Sequence, residues 1–332
     1  MAFSDPTPAP GSSVPVLEMN DVHRHFMVKQ GLFDPQPSLL KAVDGVSLAV
    51  APGETLGLVG ESGCGKSTLA RMAVRLLQPT SGDIRIQGAS LWQGGAARVR
   101  DLPRKAQMIF QDPFSSLNPR QTVGGAIGEG LAVHGMGRAA RLDRVRELLE
   151  WVGLEPEHAH RYPHEFSGGQ RQRVAIARAL ALGPSLVVCD EPVSALDVSI
   201  QAQVLNLLRD LQHRLGLTYL FISHDLSVVS HISDRVAVMY LGRLVELGPA
   251  HAIHHAPLHP YTQALLAALP KPDPTQRNTS ARLSGDIPSP FTPPPGCPFH
   301  PRCPHAMPVC AHTRPQWTAV EPGRFAACHL HT

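Results

Sequence analysis

The stretch Gly60-Glu61-Ser62-Gly63-Cys64-Gly65-Lys66-Ser67-Thr68 narrows what this chain can become more than any other. Before it, Thr55-Leu56-Gly57-Leu58-Val59 is a short apolar run of buried-strand length. After it, from Leu69 to Leu77, apolar residues recur at helical spacing, with Arg71 and Arg75 able to face water. Strand, glycine-rich turn, helix is the context that a P-loop requires. The glycines let several backbone N–H groups curl toward one point, and the helix N-terminus adds partial positive charge. Lys66 can then reach β- and γ-phosphates, and the Ser67 hydroxyl can ligate Mg²⁺. A plain glycine turn before a helix would not need all of these residues together. The stretch is read as a nucleotide-phosphate site.

The 332 residues can bury a sizeable core and hold more than one domain. The net charge of +3 is mild and the basic residues form no stripe, which argues against a nucleic-acid partner. No run reaches the length of a membrane span, and the N-terminus lacks the pattern of a signal peptide. Six cysteines in a chain this long do not make a disulfide scaffold, so a reducing cytoplasm is expected.

In chain order, residues 1–14 are rich in Pro, Ser, Thr and Ala and are expected to be disordered. Val16 to Val50 reads as short strands, broken at Asp34-Pro35-Gln36-Pro37. Phe26 there reads from its spacing as a half-buried strand residue. Met108-Ile109-Phe110 leads into Gln111, and a helical block follows from about Gly124 to Trp151. Ser167 is a good N-cap, and Gly168, Gly169 and Gln170 open a helix after it, a second exposed cluster of N–H groups. Ser185-Leu186-Val187-Val188-Cys189-Asp190-Glu191 is an apolar strand ending in two acids, one placed to hold Mg²⁺ and the next to polarise a water. Tyr219 to Ser223 is another buried strand, ending at His224, where open α/β sheets place ligands.

In this order the pieces closely resemble the ATP-binding cassette (ABC) ATPases over about residues 16–250. The resemblance implies an α/β P-loop NTPase fold with an antiparallel β subdomain, an inserted α-helical subdomain at about 112–165, and an irregular extension over 251–332. The ATPase domain would span 15–250. It implies Walker A at Gly60–Thr68, the Q-loop at Gln111, the signature at Phe166–Gln170, and Walker B ending at Asp190. Glu191 would be the catalytic glutamate, Ser194–Asp197 the D-loop and His224 the switch histidine. ATP and Mg²⁺ would be bound, the metal by Ser67, Gln111 and Asp190, and Phe26 would stack on adenine. Phe166 stands where leucine is commoner, before an intact Ser-Gly-Gly-Gln.

Beyond Pro249 lie sixteen of the 32 prolines and nine of the 18 histidines, so this tail is expected to be extended and irregular. Pro257-Leu258-His259-Pro260-Tyr261-Thr262, Leu283 to Pro290 and Pro293-Pro294-Pro295-Gly296-Cys297 resemble the extension of bacterial dipeptide and oligopeptide importer ATPases, which nickel importers share. The type it resembles most is the second ATPase subunit of a dipeptide importer. That implies a second ATPase subunit, identical or sister, two transmembrane permeases, an extracytoplasmic solute-binding protein and a place on the cytoplasmic face of the inner membrane. A nickel or other small-solute importer is the alternative within the family. A soluble ABC ATPase of DNA repair or translation would usually carry two cassettes or a long coiled coil, which this chain lacks. Cys297, Cys303, Cys310 and Cys328 leave three readings open. They match a [4Fe–4S] cluster by ligand count, lack the tight pair usual for zinc, and could be free thiols. His300, His305 and His329 are read as solvent-exposed.

Overall fold

The computed structural model describes residues 14–29, 37–93, 96–269 and 286–332, the side chains of 96–98, 114 and 115 apart. Residues 1–13, most of the Asp34–Pro37 break, and Leu283–Gly285 lie outside the described residues. Among the described residues there are twelve strands: β1 (Leu17–Val28), β2 (Ser38–Val50), β3 (Thr55–Val59), β4 (Ser81–Ile86), β5 (Ala89–Ser90), β6 (Ala106–Ile109), β7 (Leu186–Asp190), β8 (Thr218–Ser223), β9 (Arg235–Tyr240), β10 (Arg243–Pro249), β11 (Thr318–Glu321) and β12 (Arg324–Ala326). They form an antiparallel sheet in the order β2-β1-β4-β5 and a mixed sheet in the order β11-β12-β10-β9-β3-β8-β7-β6.

Within the mixed sheet β9, β3, β8, β7 and β6 run parallel. Every residue of β3, β7 and β8 is buried, as expected of central parallel strands covered on both faces, which explains their unbroken apolar runs. The carboxyl ends of these strands share one edge of the sheet. Walker A leaves β3 there, Glu191 follows β7, His224 follows β8, and Gln111 lies just past β6. Between β6 and β7 the chain inserts helices Val123–Val133 and Arg138–Trp151, and helix Gly168–Leu180 then leads into β7. The predicted single helical block is split at Gly135, whose φ of +84° ends the first helix.

Two expectations need correction. The predicted short strands between Val16 and Val50 are two long ones, paired along their length and kept continuous by bulges. The tail, expected to be irregular, is substantially ordered. It adds β11 and β12 to the main sheet beside β10, and contributes helices Ala250–His255, Pro260–Ala267 and Pro308–His312. With too few apolar residues for a core of its own, the tail completes the cassette's: Tyr261 and Phe299 are buried in the same cluster as Tyr240. The three rings meet at centroid distances of 4.6–5.4 Å.

The docking depends on His259. Its Nδ1 accepts the Tyr261 N–H at 3.0 Å and caps the helix Pro260–Ala267. Fully buried Glu246 of β10 accepts the N–H groups of Leu258 and His259. Burial, with His331 nearby, pushes the His259 pKa down to about 3. The folded chain therefore keeps this ring neutral while the unfolded chain takes up a proton below about 6.5. Its contribution is complete above that value and falls by up to about 1.4 kcal/mol per pH unit toward pH 3. Glu246 works in the opposite sense, because burial raises its pKa. His259→Asn keeps a capping acceptor, so denaturant stability between pH 6 and 4 should fall about one proton less steeply in the variant than in the wild type. Parallel profiles would contradict this assignment.

Candidate functional site

The P-loop cannot form unless residue 65 is glycine. Gly65 has φ +109°, and a Cβ there would lie 2.1 Å from the Ala42 carbonyl oxygen. The helix Lys66–Ala73 starts directly after it, three residues before the predicted start, so Lys66, Ser67 and Thr68 form its first turn. Lys66 is 5% exposed, and its Nζ donates to the carbonyls of Gly60 at 2.7 Å and Glu61 at 3.0 Å. Ser67 Oγ donates to Asp190 Oδ1 at 2.9 Å. Burial raises the Asp190 pKa against that hydrogen bond, and the neighbouring Glu191 charge adds to the rise. A hard oxygen pair of this kind fits Mg²⁺.

Glu191 stands at φ +49°, a backbone conformation that a non-glycine residue rarely adopts and one often found at functional sites. Its Oε2 receives the Gln111 amide N–H at 3.0 Å and lies 3.3 Å from His224 Nδ1. Side chains from two strand ends, Gln111 and His224, thus meet on one carboxylate oxygen of Glu191 at the end of a third. They share a cavity of about 560 Å³ with Phe26, Ser62, Gly63, Gly65, Lys66, Ser67 and Thr68. Phe26 lines it from β1, under the Arg24 guanidinium at 4.4 Å. Gly60, Glu61, Cys64 and Asp190 support the loop from outside the cavity wall. The Cys64 pKa is raised by burial, so its thiol stays protonated.

The Ser167-Gly168-Gly169-Gln170 segment does not line this cavity. Ser167 caps the helix as expected, accepting the Gln170 N–H at 3.3 Å, and the Gln170 side chain accepts the Ser167 N–H in return at 3.0 Å. Gly169 leaves room for Ile200, whose Cγ2 would lie 2.6 Å from an added Cβ.

The tail grips the P-loop from behind. Arg302 donates to both carboxylate oxygens of Glu61, at 2.8 and 2.9 Å, and is 7% exposed. The Glu61 N–H donates to the Tyr261 hydroxyl at 2.8 Å. Sequence reasoning missed both contacts, which join residues 241 and 200 positions apart. It also missed Lys41, Gly242 and Pro290 in the cavity wall.

Cys297, Cys303, Cys310 and Cys328 all border one small pocket in the tail, with His300, His305 and His329 beside them. His300 and His329 are half-buried and hydrogen-bond to backbone carbonyls, so only His305 is exposed as expected. No three of the thiol sulfurs lie within 4.8 Å of one another. The thiols are thus not arranged as a closed metal cage, and one zinc ion would need sulfurs about 3.8 Å apart. Burial, with the other three thiols adding to it, pushes the Cys297 pKa up to about 11.

Comparison with known proteins agrees with this geometry. The ABC transporter family model matches residues 43–194, and the model of the oligopeptide/dipeptide transporter C-terminal region matches residues 245–310. The oligopeptide transport ATP-binding protein AppF of Bacillus subtilis is 53% identical over 324 residues, covering 96% of this chain and 98% of that protein. Among solved structures, the post-hydrolysis dimer of the ATP-binding cassette MJ0796 with ADP and Pi superposes with TM-score 0.62 at 27% identity, over 70% of this chain and 98% of that one. CbiO1 of Clostridium perfringens, part of the transporter complex cbiONQ, gives TM-score 0.62 at 26% identity, over 73% of this chain and 91% of that one. A P-loop, a glutamate held by Gln111 and His224, and a docked tail, together with these likenesses, place the chain in the ABC transporter ATPases, ATP-binding and ATP-hydrolysing, of the oligopeptide/dipeptide transporter family.

Proposed function

We propose that this chain energises peptide uptake as one ATPase subunit of an importer at the cytoplasmic face of the bacterial inner membrane. The observation that carries the chemistry is the meeting of Gln111 and His224 on Glu191 in the cavity of Lys66. In this reading Lys66 leaves the carbonyls of Gly60 and Glu61 to contact the β- and γ-phosphates, and Phe26 stacks on adenine. Ser67, Asp190 and the Gln111 side-chain oxygen would hold Mg²⁺, which neutralises phosphate charge when bound. Glu191 accepts the proton of the attacking water, and His224 and Gln111 orient its carboxylate. The Ser167–Gln170 helix start, which does not line the chain's own cavity, would cap the ATP of a second cassette, identical or sister. Gly65, Gly63 and the neighbouring loop residues from Gly60 to Thr68 supply the phosphate cradle.

Among the described residues no helix is long and apolar enough to cross a membrane. Two separate permease subunits would form the channel, and an extracytoplasmic solute-binding protein would deliver the peptide to them. Purification of the intact complex from its native membrane tests this: permeases and a cassette partner should co-purify. Recovery of the chain with soluble repair or ribosomal factors instead would overturn it.

For the tail thiols we propose the [4Fe–4S] reading. What supports it is that all four thiols border one pocket and match the cluster by ligand count. A cluster would cross-link a tail that has little core of its own. Protein prepared without oxygen should then be brown, with about four irons per chain. Colourless protein with four titratable tail thiols would remove the cluster from the assignment.

A further inference from the structure

The antiparallel sheet carries a second cluster of chemistry that ATP hydrolysis does not use. His23 and His25, two apart on β1, project toward Asp44 of β2. His23 Nδ1 lies 3.2 Å from Asp44 Oδ1, and His25 Nε2 lies 3.5 Å from the same oxygen. Among the described residues this is the one trio of His, Cys, Asp or Glu whose ligand atoms all lie within 4.8 Å of one another. Tetrahedral coordination at about 2.1 Å would set ligand atoms about 3.4 Å apart, close to both measured separations.

Local structure is built around this meeting. Register shifts in β1 on either side of His23 turn both rings to one side. Asp21 sits in the bulge at φ +46°, its N–H held by Ser47 Oγ at 2.9 Å. Its carboxylate then reaches His23 Nε2 at 3.1 Å. Gly45 leaves space for this contact, since a Cβ there would lie 3.3 Å from Asp21 Oδ1.

The hydrogen bonding calls for a positive charge between the rings and Asp44, supplied by a proton or by a metal ion. With Nε2–H given to Asp21, neutral His23 would turn its Nδ1 lone pair onto a carboxylate oxygen. His25 Nε2 is buried and makes no hydrogen bond, although it points at that same oxygen. Asp44 is about a tenth exposed and anionic. Burial would raise its pKa, but Arg243, which grips Oδ2 at 2.6 and 3.1 Å, and Lys41 hold it below the ordinary carboxylate value. Arg243 thereby leaves Oδ1 turned to the two rings. The Asp21–His23 contact is the carboxylate–imidazole support typical of metal-bound histidine. Two imidazoles with one carboxylate oxygen favour a zinc-type ion over Mg²⁺ or Ca²⁺, which need more oxygen donors.

We propose that His23 Nδ1, His25 Nε2 and Asp44 Oδ1 bind a borderline transition-metal dication of the zinc class, with water as the fourth ligand and Asp21 orienting His23. The site lies on the two strands that carry Phe26, Leu40, Lys41 and Ala42 into the nucleotide cavity, so the ion would pin the bulged strand beside the adenine wall.

The test uses full-length, chelator-stripped protein titrated with Co²⁺ in the absence of oxygen. Cobalt held by nitrogen and oxygen gives weak visible bands without the near-ultraviolet thiolate charge transfer that cobalt on the tail cysteines would show. The expected result is about one such cobalt per chain, displaced by Zn²⁺ but not by Mg²⁺. His23→Gln and His25→Gln should abolish these bands while any thiolate band persists, and Asp21→Asn should weaken binding about tenfold. Bands that persist in both histidine variants, or wild-type protein without them, would overturn the site. A second measurement needs no variant: Zn²⁺ should slow amide exchange in residues 20–26 of the wild type. Unchanged exchange there under saturating Zn²⁺ would equally overturn it.

Discussion

Glu191→Gln should leave ATP binding near wild type and lower hydrolysis by about 10³-fold, the usual contribution of a positioned general base. The amide is isosteric, so the Gln111 and His224 contacts to the side-chain end can persist, but it cannot take the proton of the attacking water. Because the γ-phosphate then stays in place, the variant should accumulate as an ATP-dependent pair with itself or with a sister cassette. Phosphate release, fluorescent-nucleotide binding and light scattering check the three parts separately. Hydrolysis at the wild-type rate would remove Glu191 as the base. Normal ATP binding with no association with any cassette partner would count against a shared site.

Lys66→Ala should weaken ATP binding by roughly 10- to 100-fold, the worth of a charge-assisted contact of about 1.5–3 kcal/mol, and turnover should fall with it. The structure adds a second consequence, because the same ammonium braces the carbonyls of Gly60 and Glu61. Lys66→Arg should not restore function, since the planar guanidinium cannot replace a compact ammonium in so buried a place. The same loop is braced from behind by the tail, which gives a graded comparison. Arg302→Ala frees the Glu61 carboxylate without touching the phosphates, so it should raise the KM for ATP several-fold and leave kcat largely intact. Arg302→Lys should restore only part of this, because one ammonium cannot reproduce the two-pronged contact. A fall in kcat with unchanged KM would show that the tail acts on the chemistry rather than on the loop.

The phosphate end of the cavity was legible in the sequence because it is a contiguous run. A phosphate cradle consists of consecutive backbone N–H groups, so Gly60 to Thr68 had to be adjacent in the chain. Asp190 and Glu191 are readable for a similar reason: the end of a buried strand is marked by the switch from apolar to acidic residues. His224 was legible from its place at a strand's carboxyl end, whereas Gln111 and Phe26 were legible only through the family resemblance, since a single residue in or after a strand carries no local pattern.

The tail shows where composition misleads. Its prolines and histidines suggested an irregular segment, yet Tyr261 and Phe299 needed only a surface to bury against, and the cassette provides one at Tyr240. Apolar periodicity measures what a segment can bury by itself and is silent about what it can bury against. The same blindness hid the Arg302–Glu61 pair and the tail strands beside β10.

The sequence by itself determined the P-loop, the acidic strand end and the capped Ser167 helix, because local backbone geometry and hydrogen bonding dictate those residues wherever the chain goes. Only the tertiary structure decided that Gln111 and His224 meet on one oxygen of Glu191, that the tail holds the P-loop, and that His23, His25 and Asp44 converge across a bulge. Those meetings depend on strand order and register, which are set by burial summed over the whole core.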